Sequence, residues 1–176
     1  LIDLGQSGGD PKMETEIALE MCAKDLGALL VIASTSDTRH IEEAVKGRMP
    51  VIYIGGVVNP GAEYAVLCDD HKGGMPAARA LFHGGCRSAA IFTWGSAATA
   101  QHERTRGFIA YMQEHGGAVK SYGVPDGPSE AAGRGMAQKA MAEGLPQGVF
   151  ATDDLIALGA MDVFRKAGQS IPGDVQ

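Results

Sequence analysis

The chain has 176 residues, 45% of them hydrophobic, enough for one or two compact domains with a buried core. A formal net charge of -6 argues against a phosphate-binding surface as the main feature of this piece, and no apolar run reaches the ~20 residues of a membrane span. Cys22, Cys68 and Cys86 are odd in number and widely spaced, and the five histidines form no paired ligand pattern, so no metal site is expected and buried free thiols in a reducing cytoplasm are the preferred reading.

In chain order, Leu1 to Leu4 reads as a strand, and its abrupt apolar start suggests a fragment. Asp10-Pro11 caps and opens a helix to Leu26, closed by Gly27. Ala28 to Ile32 is a second strand, Asp37 caps a helix to Lys46, and Val51 to Ile54 is a third strand. Asn59-Pro60-Gly61 marks a turn, and Ala65 to Cys68 is a short strand leading to Asp69-Asp70. Gly73-Gly74 and Pro76 introduce a helix through Phe82, ended by Gly84-Gly85.

A second lobe is expected from residue 88. Ser88 to Trp94 reads as a buried strand, Thr99 or Ala100 to His115 as a helix, and Val119 to Tyr122 as a strand. Ser129 caps a helix through Glu143. The run from Gly148 to Val175 then joins a strand at Val149 to Ala151, a cap at Thr152 or Asp153, and a helix stopped by Gly168. On that helix Ile156, Ala160, Val163 and Ala167 share the inward face, whereas Leu155 and Leu158 fall among charged residues. Ile171-Pro172-Gly173-Asp174-Val175 reads as a turn into one more strand. Strands alternating with helices call for parallel sheets with right-handed crossovers.

In such sheets ligands bind beyond the carboxyl ends of the strands. Asp153 and Asp154 stand there, although Asp at a helix start is also an ordinary cap. Arg104, early in the helix after Trp94, can fork onto hydroxyls or a carboxylate, or pair with Glu103. Trp94 can stack on a sugar ring or fill the core. The phosphate loop, the nucleophile elbow and the dinucleotide glycine pattern are all missing.

Five segments in order carry a resemblance. These are Asp69-Asp70-His71-Lys72-Gly73-Gly74 with Ala77 and Leu81, then Gly85, then Arg104-Thr105-Arg106-Gly107-Phe108, then Ala151 to Ala160, then Ile171 to Val175. Together they resemble the effector-binding core of the LacI/GalR family of bacterial transcription regulators. The resemblance implies an α/β fold of two doubly wound parallel-sheet lobes, of the periplasmic-binding-protein-like type I kind, incomplete at both ends. Residues 1–87 would form the first lobe, without its first βα unit, and 88–176 the second, truncated after Val175.

By the same resemblance, a sugar, polyol or nucleoside effector binds between the lobes, and a helix-turn-helix headpiece outside this sequence binds operator DNA. Arg104 matches the family's effector-binding Arg, and Asp153 stands where many members have an effector-contacting Asn. An ionised Asp only accepts hydrogen bonds, so Asp153 suits hydroxyl donors or a cation. Asp69 matches the Asp that closes the strand before the Gly-Gly helix and is a candidate effector contact, although that position is more often structural or interlobe, and Leu158 with Leu155 is the expected homodimer contact. No catalysis, cofactor, metal or membrane is implied. The alternatives are a periplasmic sugar-binding protein serving an ABC transporter and, less favoured, a doubly wound sugar-modifying enzyme.

Overall fold

The computed structural model describes residues 2–24, 26–35, 37–55, 62–95 and 100–176. Packing divides the chain into two units, Leu1–Cys68 and Asp69–Gln176.

In the first unit α1 (Pro11–Cys22) and α2 (Arg39–Val45) accompany three parallel strands, β1 (Leu29–Val31), β2 (Val51–Ile54) and β3 (Tyr64–Val66). They lie in the order β1-β2-β3, with Leu29 opposite Val51 and Ile52 opposite Tyr64. Pro11 opens α1 because its missing N–H costs nothing there, and the Asp10 carboxylate accepts from the Lys12 N–H at 2.9 Å. Ala18, Ile41, Ala44, Val45, Met49 and Tyr53 form the core on one face of the sheet. Among the described residues the other face is bare, with Leu30, Ile32 and Val66 all more than 60% exposed, although parallel sheets ordinarily bury both faces.

Three expectations change here. Residues 2–4 form no strand, and Ile2 and Leu4 are exposed, because these residues have no neighbouring strand to complete a ladder among the described residues. The first helix ends at Cys22, capped by Ala23, instead of continuing to Leu26. Thr38 is the N-cap residue of α2, while Asp37 accepts from the Arg39 N–H at 3.2 Å. The expected turn at Asn59-Pro60-Gly61 lies outside the described residues.

The second unit comprises α3 (Asp70–His83), β4 (Ser88–Trp94), α4 (Ala100–Glu114), β5 (Ala118–Val124), α5 (Glu130–Glu143), β6 (Gly148–Ala151) and α6 (Asp154–Lys166). Its parallel sheet runs β5-β4-β6. Alternate residues of the central strand serve opposite faces. Ala89 and Ile91 join Ala78, Phe108 and Met112 beneath α3 and α4, whereas Ala90 and Phe92 join Met136, Ala137, Ile156 and Phe164 beneath α5 and α6.

Glycines let each helix pair meet backbone to backbone. A Cβ on Gly74 would sit 1.9 Å from the Arg104 carbonyl oxygen, and one on Gly107 would sit 1.8 Å from that of His71. The same reciprocity joins α5 to α6: a Cβ on Gly133 would lie 2.1 Å from Ile156 O, and one on Gly159 would lie 2.0 Å from Glu130 O. The close contact of α3 with α4 is why packing groups α3 with the unit Asp69–Gln176.

α3 also begins earlier than Gly73-Gly74. Asp69 caps it by accepting from the Lys72 N–H at 3.0 Å, which leaves Pro76 inside the helix. On α6 the buried face is Ile156, Gly159, Ala160 and Phe164, while Ala167 is exposed. Beyond α6, Gln176 donates to Gln147 O at 3.0 Å and accepts from the Val149 N–H at 2.7 Å, the bracketing of Gly148 that a parallel neighbour makes on the free edge of β6.

Candidate functional site

The order β5-β4-β6 places a reversal in the second unit. The chain leaves β4 into α4 on one face, passes to β5, crosses on the other face through α5, and returns to β6 beside β4. The neighbours β4 and β6 are therefore followed by helices on opposite faces, α4 and α6. Such a switch point opens a crevice at the carboxyl ends of the strands, where helix starts supply polar groups.

Trp94 ends β4, Arg104 lies in the second turn of α4, and Asp153 is the N-cap residue of α6. All three therefore border the same end of one sheet. Thr152 joins the two strands there: its N–H donates to Phe92 O at 2.9 Å, and its hydroxyl lies 3.1 Å from that of Thr93. This places Asp153 immediately after a tied backbone. One carboxylate oxygen, Oδ1, accepts from the Leu155 N–H at 2.9 Å, so Asp153 does serve as the cap. Its other oxygen has no hydrogen-bond partner among the described residues.

Arg104 does not pair with Glu103, which binds Arg106 instead at 2.9 Å. Its Nε donates to Asp70 Oδ1 at 2.8 Å, and among the described residues Nη1 and Nη2 meet no acceptor. Asp70 is 8% exposed, whereas the Arg104 side chain is partly open to solvent. Asp69 faces elsewhere: Lys72 holds it through both its ammonium and its backbone N–H, which keeps the Asp69 carboxyl below the usual aspartate range. Asp70, which the sequence reading does not single out, is thus the partner of Arg104. The Asp69-Asp70 doublet signals two carboxylates at a helix start, and only the crossing of α3 over α4 decides which one reaches Arg104.

Trp94 is half-buried and packs against the core beneath α5 and α6, and its Nε1 meets no acceptor among the described residues. Leu155 and Leu158 are 45% and 53% exposed on α6, as the helical phase requires. Among the described residues no group of three or more His, Cys, Asp or Glu side chains is placed to hold a metal ion. No helix among them is long and apolar enough to cross a membrane.

Residues 6–176 match the family described as periplasmic binding proteins and sugar binding domain of the LacI family. The HTH-type transcriptional regulator DegA of Bacillus subtilis is 26% identical over 170 residues, covering 94% of this chain and 50% of the relative. The HTH-type transcriptional repressor PurR of Mannheimia succiniciproducens is 28% identical over 161 residues, covering 89% of this chain and 48% of the relative. The chain thus spans about half the length of these curated relatives. A LacI family transcriptional regulator from Enterococcus faecium, solved with bound ribose, has the same fold, with a TM-score of 0.76 at 24% identity over 92% of this chain and 61% of that one.

Proposed function

The chain belongs to the family of periplasmic binding proteins and LacI-type sugar-binding domains, and from that premise we propose that it is the ligand-sensing core of a cytoplasmic, dimeric LacI-type repressor. Its effector is a small sugar-like molecule held at the strand ends of the second unit, and occupancy changes the affinity of a helix-turn-helix headpiece for operator DNA. The observation that carries this reading is the guanidinium of Arg104 and the carboxylate of Asp153 on helices that leave adjacent parallel strands on opposite faces. A forked donor and an acceptor at such a point suit the hydroxyls of a polyol.

Arg104 would bind the effector through Nη1 and Nη2, since Nε is engaged by Asp70. Asp153 would accept from a hydroxyl through its second oxygen. The name of the Mannheimia relative supports repression, and the ribose bound to the Enterococcus protein supports a sugar. Leu155 and Leu158, exposed on α6, would meet the second copy.

Titration calorimetry with D-ribose and a panel of hexoses, polyols and nucleosides tests the assignment. Arg104→Ala should lose about 1.5–3 kcal/mol of binding, roughly 10- to 150-fold in affinity, as befits charge-assisted bonds. Unchanged affinity in that variant would remove Arg104 from the site and the effector reading with it.

A further inference from the structure

We propose that Asp70 is a positioning residue that aims Arg104 at its ligand and, through its charge, makes the site select uncharged polyhydroxyl ligands over phosphorylated ones. The inference rests on the effector reading above but has a readout of its own. Asp70 is the first residue of α3 and is buried, and its Oδ1 takes the Nε–H of Arg104 at 2.8 Å. A bond at Nε fixes the plane of the guanidinium while leaving the outer fork of Nη1 and Nη2 to meet two oxygens.

The backbone enforces this meeting. Asp70 lies one turn toward the amino end from Gly74 on α3, and Arg104 lies one turn toward the amino end from Gly107 on α4. At those glycines the helices touch so closely that no Cβ fits on either side. The two side chains therefore face each other at a separation set by the helix crossing rather than by their own flexibility.

Charge then decides what Arg104 can hold. Its positive charge is balanced by Asp70, and that of Lys72 by Asp69. Arg106 is balanced by Glu103. Asp153 and Asp154 at the start of α6 have no cationic partner among the described residues, so this end of the sheet carries a negative excess. A phosphate group arriving there would be repelled by these carboxylates and would meet a guanidinium already neutralised. Hydroxyls, which donate to Asp153 and accept from the Nη groups, meet no such penalty.

The experiment uses the whole chain with D-ribose and D-ribose 5-phosphate as matched probes, and compares wild type with Asp70→Asn, Asp69→Asn, Arg104→Ala and the Asp70→Asn/Arg104→Ala double variant. Calorimetry should show wild type binding ribose about tenfold or more tighter than its phosphate, and Asp70→Asn losing about tenfold toward ribose. Asp69→Asn, at the same helix start but off Arg104, should change little. In the Arg104→Ala background Asp70→Asn should add no further loss, because a positioning residue has nothing left to position. In nitrogen-15 spectra the Arg104 Nε–H should be protected from exchange in wild type and in Asp69→Asn, and exposed in Asp70→Asn.

An Asp70→Asn protein whose Nε–H stays protected, or additive losses in the double variant, would overturn the positioning role. Equal or tighter binding of the phosphate by wild type would overturn the selectivity. If wild type titrates neither probe, the sugar reading fails for ribose together with the selectivity, and the Nε–H exchange alone decides the role of Asp70.

Discussion

Replacing Gly107 by Ala tests whether direct backbone contact holds the second unit together. In an unconstrained helix interior this change should stabilise, because Gly costs about 0.5–1 kcal/mol relative to Ala. Here the new methyl would sit 1.8 Å from the carbonyl oxygen of His71, and relieving that to the 3.0 Å that real Cβ contacts respect parts α3 from α4 by about 1.2 Å. A radial gap of half to one ångström already forfeits a quarter to a half of each dispersion contact, and α3 and α4 share the Ala78, Phe108 and Met112 core. Overpacking costs ~1–3 kcal/mol or more, so after the helix-propensity gain the net loss should be roughly 2 kcal/mol. Gly73 is the internal control: it lies beside Gly74 on α3 but has nothing within 4 Å, so Gly73→Ala should gain up to about 1 kcal/mol. Urea unfolding followed by the fluorescence of Trp94, the single tryptophan, reads both. A Gly107→Ala protein as stable as Gly73→Ala would refute the close crossing and, with it, the forced meeting of Asp70 and Arg104.

The second crossing should behave alike: Gly133→Ala destabilises α5 against α6, while Gly135→Ala, open on all sides, does not. Asp174 accepts from the hydroxyl and the backbone N–H of Ser170, which hold its carboxyl below the ordinary aspartate value. Its contribution to stability is therefore complete above the unfolded aspartate pKa and is lost as pH falls through the lower folded one; in Ser170→Ala the carboxyl titration followed by NMR should move up toward the ordinary value. Of the three cysteines expected to be buried only Cys86 is, and burial pushes its thiol up, whereas Cys68 is exposed, so thiol-reactive reagent should label Cys68 well before Cys86 in the folded chain, and equal rates would contradict the packing around Cys86. Leu158→Glu should lower the dimer fraction in sedimentation if α6 is the contact, while at concentrations where the chain is monomeric the urea midpoint should stay unchanged, because the side chain is half exposed.

Much of the second unit was legible because its signals are local. The apolar run from Ser88 to Trp94, the Ser129 cap and the Gly168 stop each act within one or two turns of the chain, and the strand and helices stand where those residues put them. The helical phase that left Leu155 and Leu158 outside also held, though Phe164 took the buried place expected of Ala167, since the larger side chain gains more by entering the core. The expected strand at the start of the chain fails over residues 2–4 for the opposite reason: an apolar run becomes a strand only when a neighbour completes its hydrogen bonds, and none does so among the described residues.

At the site, the sequence marks Arg104 and Asp153 as strand-end residues and Asp69-Asp70 as a doublet at a helix start, either carboxylate of which can cap or reach outward; the structure puts Asp70 on Arg104 and Asp69 on Lys72. Period, caps and turn residues, which depend only on near neighbours, were enough to determine the alternation of parallel strands and helices and the outward placing of Leu155 and Leu158 on α6. The partner of Arg104, the grouping of α3 with α4 and the bare face of the first sheet depend on how far apart two helices or strands come to rest. Glycines distant in sequence and the completeness of each ladder set those distances, so only the folded chain decided them.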